Sequence, residues 1–391
     1  MEAISCRQIL VRRTIFAPEH DDFRQSVSGF LQREAVQHHD AWESDGKLDR
    51  AFWKKAAAQG FVGFEAPEEL GGLGLRDYRF NAILVEECCR LGLLPDHFML
   101  QNDVLGPYLI DLANAEQQAR WLPGFTSGDL IAAIGMSEPG AGSDLRGIST
   151  TAKRDGDHYV LNGSKTFISS GTQADLVVVA ARTSSEARAS GAFSLLMVEG
   201  GMEGFERGRK LEKIGRGSQD TAELFFNDVR VPVENLLGDE GSGLRNLMRN
   251  LARERLAVAV AAVAGAEFAL EITLEYVKDR KAFGTPIGSF QVSRHHLAQL
   301  ATELRSARLY TDRCIEAEVA GDLDPVEAAG LKALTTELQW RVVDRCLQLH
   351  GGYGYMNEYE ISRQWRDARV QRIYGGSTEI MWEIVGRGLG L

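Results

Sequence analysis

The spacing of apolar residues changes twice along this chain of 391 residues, and these changes constrain the fold more than any other feature. Between residues 17 and 119 apolar residues recur every three or four positions, which is typical of amphipathic helices. From about Ile131 short apolar runs such as 176–180 alternate with turn residues, which predicts strands in an antiparallel barrel or sandwich. After Pro232 the helical spacing returns. The sequence therefore predicts an α+β fold with an all-α domain at 1–130, a β domain at 131–238 and an α-helical bundle at 239–391.

Local signals refine these three parts. Asp324 followed by Pro325 marks a helix start, because proline is favoured in the first turn of a helix. The pair Asn162-Gly163 predicts a turn between two strands of the middle domain. The predicted helices of the last part are 244–278, 290–320, 325–349 and 378–385.

Charge and cysteine content exclude several classes of function. The chain has 44 basic and 55 acidic residues, and its net charge of −11 disfavours nucleic-acid binding. The five cysteines form neither a C-x-x-C pair nor a cluster with histidine, so we expect no metal site and a reducing compartment.

The longest strongly apolar stretch, 256–266, has 11 residues, whereas a membrane span needs about 20. The N-terminus lacks the apolar core of a secretory signal. We therefore expect a cytoplasmic protein without a membrane span.

Five segments carry residue types that bind flat or anionic ligands. In the first segment, glycines allow close approach to a ligand, and Ser137 and Ser143 add hydroxyl donors. Phe167 is able to stack on an aromatic cofactor, and Ser377 at a helix start suits an anion. Each segment alone is also explained by a tight turn, a barrel-core strand or a helix cap. The absence of G-x-G-x-x-G and P-loop patterns in the first segment argues against a nicotinamide or nucleoside-triphosphate site. The segments are 136–144, 162–169, 279–284, 348–355 and 372–380.

In this order and spacing the five segments resemble the acyl-CoA dehydrogenase family. The similarity extends from Arg13 to Leu389 and includes the connecting stretch 220–232. It implies an N-terminal α domain, a middle β domain and a C-terminal four-helix bundle. The resemblance further implies that these three domains hold FAD between them and that the protein is a homotetramer.

The resemblance also implies which residues bind FAD. Residues 136–143 match a segment that contacts the flavin ring and pyrophosphate, and Phe167 stands where many members have tryptophan. Arg280 and Gln291 match positions that bind the ADP half of FAD across a subunit interface, and the permanent charge and planar donor fork of arginine suit a pyrophosphate. The implied FAD contacts are Ile134, Met136, Ser137, Gly142, Ser143, Phe167, Ile168, Ser169, Arg280, Phe283, Gln291, Gln348, Leu349, His350, Gly351, Gly352, Ser377, Thr378 and Glu379.

The position of the catalytic base separates this chain from many members of the family. Many carry a glutamate in a Tyr-Glu-Gly-Thr segment, but here Gly375 occupies that position. A subset resembling long-chain and isovaleryl-CoA dehydrogenases carries its base on the first bundle helix, directly before an arginine, and this chain has Glu254 there. We therefore assign Glu254 as the base, with Glu379 as the rival carboxylate and the Gly375 amide as a donor to the substrate carbonyl. The flanking arginines would lower the pKa of Glu254, whereas a dry pocket would raise it. The implied substrate contacts are Ser143, Ser190, Arg245, Arg253, Arg255, Gly375 and Gly376.

The resemblance implies an FAD-dependent acyl-CoA dehydrogenase. Such an enzyme desaturates the α,β bond of a medium- or long-chain fatty acyl-CoA to the trans-2-enoyl-CoA and passes the electrons to an electron-transferring flavoprotein. Two alternatives stay open, namely an acyl-CoA oxidase on the same scaffold and a non-enzymatic protein that binds FAD or acyl-CoA. The length of 391 residues favours the dehydrogenase, because the oxidases usually add a C-terminal domain.

Overall fold

The computed structural model describes residues 13–184 and 191–391, and the first part of the described chain is helical. Asp49 and Asp77 cap two helices, since their side chains accept hydrogen bonds from the backbone N–H groups of Ala51 and Arg79. The helices are α1 (Pro18–Glu34), α2 (His39–Asp45), α3 (Arg50–Ala58), α4 (Tyr78–Arg90), α5 (Asp96–Phe98) and α6 (Ala115–Thr126), with π-helical segments at Met99–Leu105 and Tyr108–Leu112.

The middle part is one eight-stranded sheet. Its strands follow the order β6-β7-β3-β2-β4-β5-β8, and β1 pairs with β4. Runs such as Leu176–Arg182 are almost continuously buried, because both faces of this strand are covered. The strands are β1 (Ala132–Gly135), β2 (Thr151–Asp155), β3 (His158–Ser169), β4 (Leu176–Arg182), β5 (Phe193–Glu199), β6 (Phe205–Lys210), β7 (Thr221–Pro232) and β8 (Leu236–Leu237).

Two details of the β domain differ from the sequence-based expectation. The sheet is not wholly antiparallel, because β4 runs parallel to β1 and also makes one parallel pairing with β2. The hairpin of β2 and β3 lies between β1 and β4 in the chain, and a crossover of this length allows parallel pairing. The pair Asn162-Gly163 is not a turn but lies inside β3, where the register with β7 shifts between Leu161 and Gly163. A Cβ on Gly163 would lie 2.4 Å from the Thr150 hydroxyl oxygen, so glycine serves a close approach at a bulge.

The last part is a helical bundle around α7, which is 37 residues long. Among the described helices, α7 alone is long and apolar enough to cross a membrane by length and composition, and 78% of its most apolar window is buried inside the protein. The short helix α10 was not predicted, because its nine residues are mostly polar and present few apolar repeats. The helices are α7 (Gly243–Asp279), α8 (Gln291–Ala320), α9 (Pro325–His350), α10 (Glu360–Ala368) and α11 (Thr378–Gly388), with a small hairpin of β9 (Lys281–Ala282) and β10 (Thr285–Pro286).

Candidate active site

Glu254 lies on α7 and is buried, with 7% of its surface exposed. One carboxylate oxygen, Oε1, has no hydrogen-bond partner in the described structure. Burial raises the pKa of Glu254 to about 7, and the Asp103 carboxylate adds to this effect, whereas Arg255 opposes it. Of the two effects expected from the sequence, burial therefore outweighs the neighbouring arginine. Such a group is poised to exchange a proton near neutral pH.

The Gly375–Gly376 turn lies over the face of α7 that carries Glu254. Arg255 Nε donates to the carbonyl oxygen of Gly375 at 3.4 Å. A Cβ built on Gly375 would meet only Val258 Cγ2, at 3.9 Å, and Val258 follows Glu254 by one helical turn on the same side. The structure therefore places Gly375 against α7 about one helical turn from Glu254.

Glu379, the rival carboxylate, has a different environment. It is exposed in the first turn of α11. Its pKa is lowered, first by a hydrogen bond from its own backbone and then by the Ser377 side chain. A solvated carboxylate of low pKa is a weaker proton acceptor than a buried one of pKa near 7.

The residues expected to cover a flavin lie at the end of β3 and in the adjacent loop. Phe167 is 69% exposed and has a φ of +60°, a conformation that is rare for a bulky residue. Ile168 is packed in the sheet core, and Ile134 of β1 is partly buried. Gly142 has no atom within 4 Å of a Cβ built on it, so that backbone is open to a ligand. Ser137 and Ser169 are half-buried, and Ser143 is exposed beside this opening.

A second group of the expected FAD residues lies at one end of the bundle, where α7 ends, α8 begins and α9 ends. The Arg280 guanidinium lies 5.3 Å from the centre of the Tyr353 ring, and Phe283 is 97% exposed. Gln291 and Gln348 are exposed, Leu349 is half-buried, and a Cβ on Gly351 or Gly352 would meet nothing within 4 Å.

Three of the expected FAD contacts have side chains that bind within the protein. His350 stacks on Tyr276 with ring centres 4.1 Å apart, and its Nδ1 lies 3.0 Å from the Cys346 carbonyl oxygen. The Thr378 hydroxyl donates to Glu337 at 2.9 Å. Ser377 caps α11.

Three family models match the chain, and together they cover most of it. They are the N-terminal, middle and C-terminal domains of acyl-CoA dehydrogenase, which match residues 17–129, 133–229 and 241–390. The chain belongs to the acyl-CoA dehydrogenase family. It is therefore an FAD-dependent oxidoreductase that acts on acyl-CoA thioesters.

Individual acyl-CoA dehydrogenases are similar over nearly the full chain. The mitochondrial long-chain specific acyl-CoA dehydrogenase of Sus scrofa is 46% identical over 376 residues, which are 96% of this chain and 87% of the relative. The crystal structure of acyl-CoA dehydrogenase from Geobacillus kaustophilus has a TM-score of 0.93 and 45% identity, and the match covers 96% of this chain and 99% of that one. A structure described as the electron transferring flavoprotein of Acidaminococcus fermentans contains a chain with a TM-score of 0.89 and 32% identity, covering 96% of this chain and 98% of that one.

The residues of this acyl-CoA dehydrogenase fit FAD. An exposed aromatic ring at Phe167 and open glycine backbone at Gly142 offer a surface for a flat ring, and exposed Arg280 beside open backbone at Gly351 offers charge for a phosphate. The Phe283 ring is 97% exposed and is free to contact a ligand or a partner surface.

The residues expected to contact substrate lie in different environments. Arg255 is buried against the Gly375 carbonyl, and Arg245 is exposed 3.8 Å from Asp239. The Arg253 guanidinium is bound to the Glu65 carboxylate and lies 3.8 Å from Asp103, so these two acids balance its charge inside the protein. Its contact with substrate stays a prediction. Ser190 lies outside the described residues.

Sequence reasoning missed a buried ion pair that holds the glycine-rich loop. Lys165 Nζ donates to Glu138 Oε1 at 2.8 Å and to the Met136 carbonyl at 3.2 Å. Glu138 also accepts hydrogen bonds from the backbone N–H groups of Ser149 and Thr150. A signal was present, since alternation along β3 places Lys165 on the same inward face as Tyr159 and Leu161. Burial of a charge is costly unless the charge is paired or hydrogen-bonded, so an inward-facing lysine indicates a partner nearby.

Proposed function

We propose that this chain oxidises a long-chain fatty acyl-CoA to the trans-2-enoyl-CoA with Glu254 as the catalytic base. One observation carries the proposal, namely a buried carboxylate with an unpartnered oxygen beneath the Gly375–Gly376 turn. The long-chain substrate is supported by the similarity to long-chain specific relatives.

The chemistry follows from the environment of Glu254. A carboxylate oxygen of Glu254 takes the α-proton of the thioester, and the electron pair of that C–H bond becomes the new α,β double bond as a hydride leaves the β-carbon. FAD, when bound, supplies the acceptor for this hydride. Negative charge develops on the thioester oxygen, to which the Gly375 amide donates a hydrogen bond. Because burial favours the neutral form of its carboxyl group, Glu254 holds the proton once it has received it.

We expect the rate of flavin reduction to rise with pH and to level off above about pH 7. Glu254 must be ionised to accept a proton, and burial raises its pKa to about 7. The same raised pKa acts in the opposite direction on the free energy of unfolding, which falls as pH rises. The contribution of Glu254 to folding is fully present below its unfolded pKa of about 4.5 and is lost as pH rises towards 7. Stopped-flow reduction measured from about pH 5.5 to 8.5 tests this, and a flat profile would contradict the assignment of the base.

We expect Arg280→Ala to weaken FAD binding by about one to two decades, because a charge-assisted hydrogen bond contributes about 1.5 to 3 kcal/mol. Arg280 is exposed, so the substitution leaves the core intact. The FAD dissociation constant is measured by titrating apoprotein. Arg341→Ala removes another exposed arginine of the bundle, which pairs with Glu303, and serves as the control. Equal affinity of both variants for FAD would remove Arg280 from the cofactor site.

The proposal also includes an electron acceptor, an oligomeric state and a location in the cell. The similarity to a chain in an electron-transferring flavoprotein structure supports such a flavoprotein as the acceptor. Exposed Phe283 and Arg280 support a homotetramer in which a neighbouring subunit covers them. A cytoplasmic location stays a prediction, although the Sus scrofa relative is described as mitochondrial.

An anaerobic titration of the holoprotein with acyl-CoA thioesters of increasing chain length tests the function. We expect long-chain thioesters to bleach the flavin absorbance and to yield the 2-enoyl-CoA. Slow reoxidation of the bleached protein by oxygen supports a dehydrogenase, whereas rapid reoxidation with hydrogen peroxide as product favours the oxidase. Flavin that is bound but not bleached by any thioester would favour the non-enzymatic alternative.

A further inference from the structure

Lys332 is a fully buried lysine in the N-terminal half of α9, between the buried residues Leu331 and Ala333. Its ammonium group donates a hydrogen bond of 2.7 Å to the carbonyl oxygen of Gly376. Burial lowers the pKa of Lys332 to about 8, and nearby Arg255 acts in the same direction. The side chain is therefore still mainly charged at pH 7. Among the described residues no carboxylate forms an ion pair with Lys332. Glu337 and Glu379 attract it only at longer range, and its ammonium group is bound by a backbone carbonyl.

The neighbouring carbonyl of the same turn also faces a cation. Arg255 Nε lies 3.4 Å from the carbonyl oxygen of Gly375. Two consecutive carbonyl groups are thus bound by cations from two different helices, α9 and α7. Because a trans peptide is planar, each carbonyl direction fixes the N–H of the next residue in the opposite direction. The two cations therefore fix the two peptide planes that directly follow the Gly375 amide, and in this way they restrain the turn that carries it.

The turn needs such restraints because of its composition. Gly375 and Gly376 have φ values of +66° and +95°. Adjacent glycines have the greatest backbone freedom of all residues, so ordering them costs more entropy than ordering any other pair. A turn that must present an amide to a reacting carbonyl loses rate when its geometry varies.

We propose that Lys332 is a positioning residue for the Gly375–Gly376 turn, which it holds through the Gly376 carbonyl so that the turn is ordered before substrate binds. The inference rests on the proposed function in placing the thioester at this turn. Lys332 acts in this proposal only through its bond to the Gly376 carbonyl. If Lys332 served only packing, an apolar side chain of equal length would replace it without loss, because a buried charge does not by itself stabilise a protein.

The test compares three variants of the holoenzyme. Lys332→Met keeps the length and removes the donor, and Lys332→Arg keeps a charged donor. Thr335→Val is the matched control, because Thr335 is buried in the same helix and bonds only within it. Amide hydrogen exchange of the peptide spanning 374–378 reports the order of the turn, and stopped-flow reduction at saturating acyl-CoA reports the chemical step.

We expect Lys332→Met to raise exchange in the 374–378 peptide by about tenfold or more and to lower the maximal reduction rate by about ten- to a hundredfold. The dissociation constant of the acyl-CoA should change much less, since binding does not depend on this bond. Lys332→Arg should restore part of both effects, and Thr335→Val should show neither.

Two results would overturn the inference. One is unchanged exchange in the 374–378 peptide of folded Lys332→Met, and the other is increased exchange in all core peptides alike, which indicates a structural role. If Lys332→Met does not fold, Lys332→Gln carries the same test, because its shorter side chain keeps an amide donor but withdraws it from the carbonyl. Failure of the proposed function gives a different result from failure of this inference. In that case acyl-CoA would not reduce the flavin of the wild-type protein, whereas the exchange experiment would still report on Lys332.

Discussion

Glu254→Gln is expected to lower the rate of flavin reduction by about 10² to 10⁴, or about 3 to 5 kcal/mol in the barrier. Glutamine keeps the shape of the side chain and removes its ability to take a proton. The buried site makes water a poor substitute for the lost base, since Glu254 is only 7% exposed. Stopped-flow reduction by saturating acyl-CoA gives the rate, and the flavin absorbance of the purified variant shows that FAD is retained.

Glu379→Gln is the matched control for this prediction. Glu379 is an exposed glutamate at the start of α11, so its substitution should affect FAD retention more than the reduction rate. Reduction of the Glu254→Gln flavin at the wild-type rate would show that another group receives the proton.

The base should also be movable between the two positions. The double variant Glu254→Gly with Gly375→Glu is expected to recover part of the activity that Glu254→Gly loses. A Cβ at 375 has space, since its nearest neighbour is Val258 Cγ2 at 3.9 Å. The φ of +66° at this position disfavours a side chain and sets a limit to the recovery.

Lys165→Met is expected to destabilise the protein by about 3 to 5 kcal/mol, because removing one partner of a buried ion pair leaves the other charge uncompensated. Lys165 is 1% exposed, and Glu138 is 5% exposed. Hydrogen bonds within the protein, including that from Lys165, lower the pKa of Glu138 to about 2 although burial opposes this, so the carboxylate is charged in the folded protein. Denaturant unfolding of the apoprotein measures the loss.

A double-variant cycle separates the pair from general disruption of the core. Glu138→Gln combined with Lys165→Met removes both charges and should be more stable than the sum of the two single losses predicts. The glycine-rich loop should also bind FAD more weakly in Lys165→Met, since Lys165 bonds the Met136 carbonyl. Additive losses would show that the two side chains do not stabilise each other.

Much of the fold follows from local patterns in the sequence. Helix spacing and the Asp324-Pro325 start signal placed the bundle helix predicted at 325–349 within one residue of Pro325–His350. The Asp324 side chain accepts a hydrogen bond from the Val326 N–H at this helix start. Such agreement is expected because periodicity and capping depend on residues a few positions apart. The strand pairing of the β domain did not follow from the alternating pattern. The partners of β4 depend on a crossover connection, which the spacing of apolar residues does not encode.

The sequence by itself determined the α, β, α order and made Glu254 the candidate base, because glycine occupies position 375. Only the tertiary structure decided how Glu254 behaves. Its two flanking arginines are equivalent in the sequence, but successive residues on a helix point about 100° apart. Arg253 therefore binds Glu65, 188 positions away, while Arg255 meets Gly375, 120 positions away. Burial, which sets the pKa of Glu254, and the contact of Lys332 with Gly376 likewise arise where distant segments pack, and no local pattern contains that information.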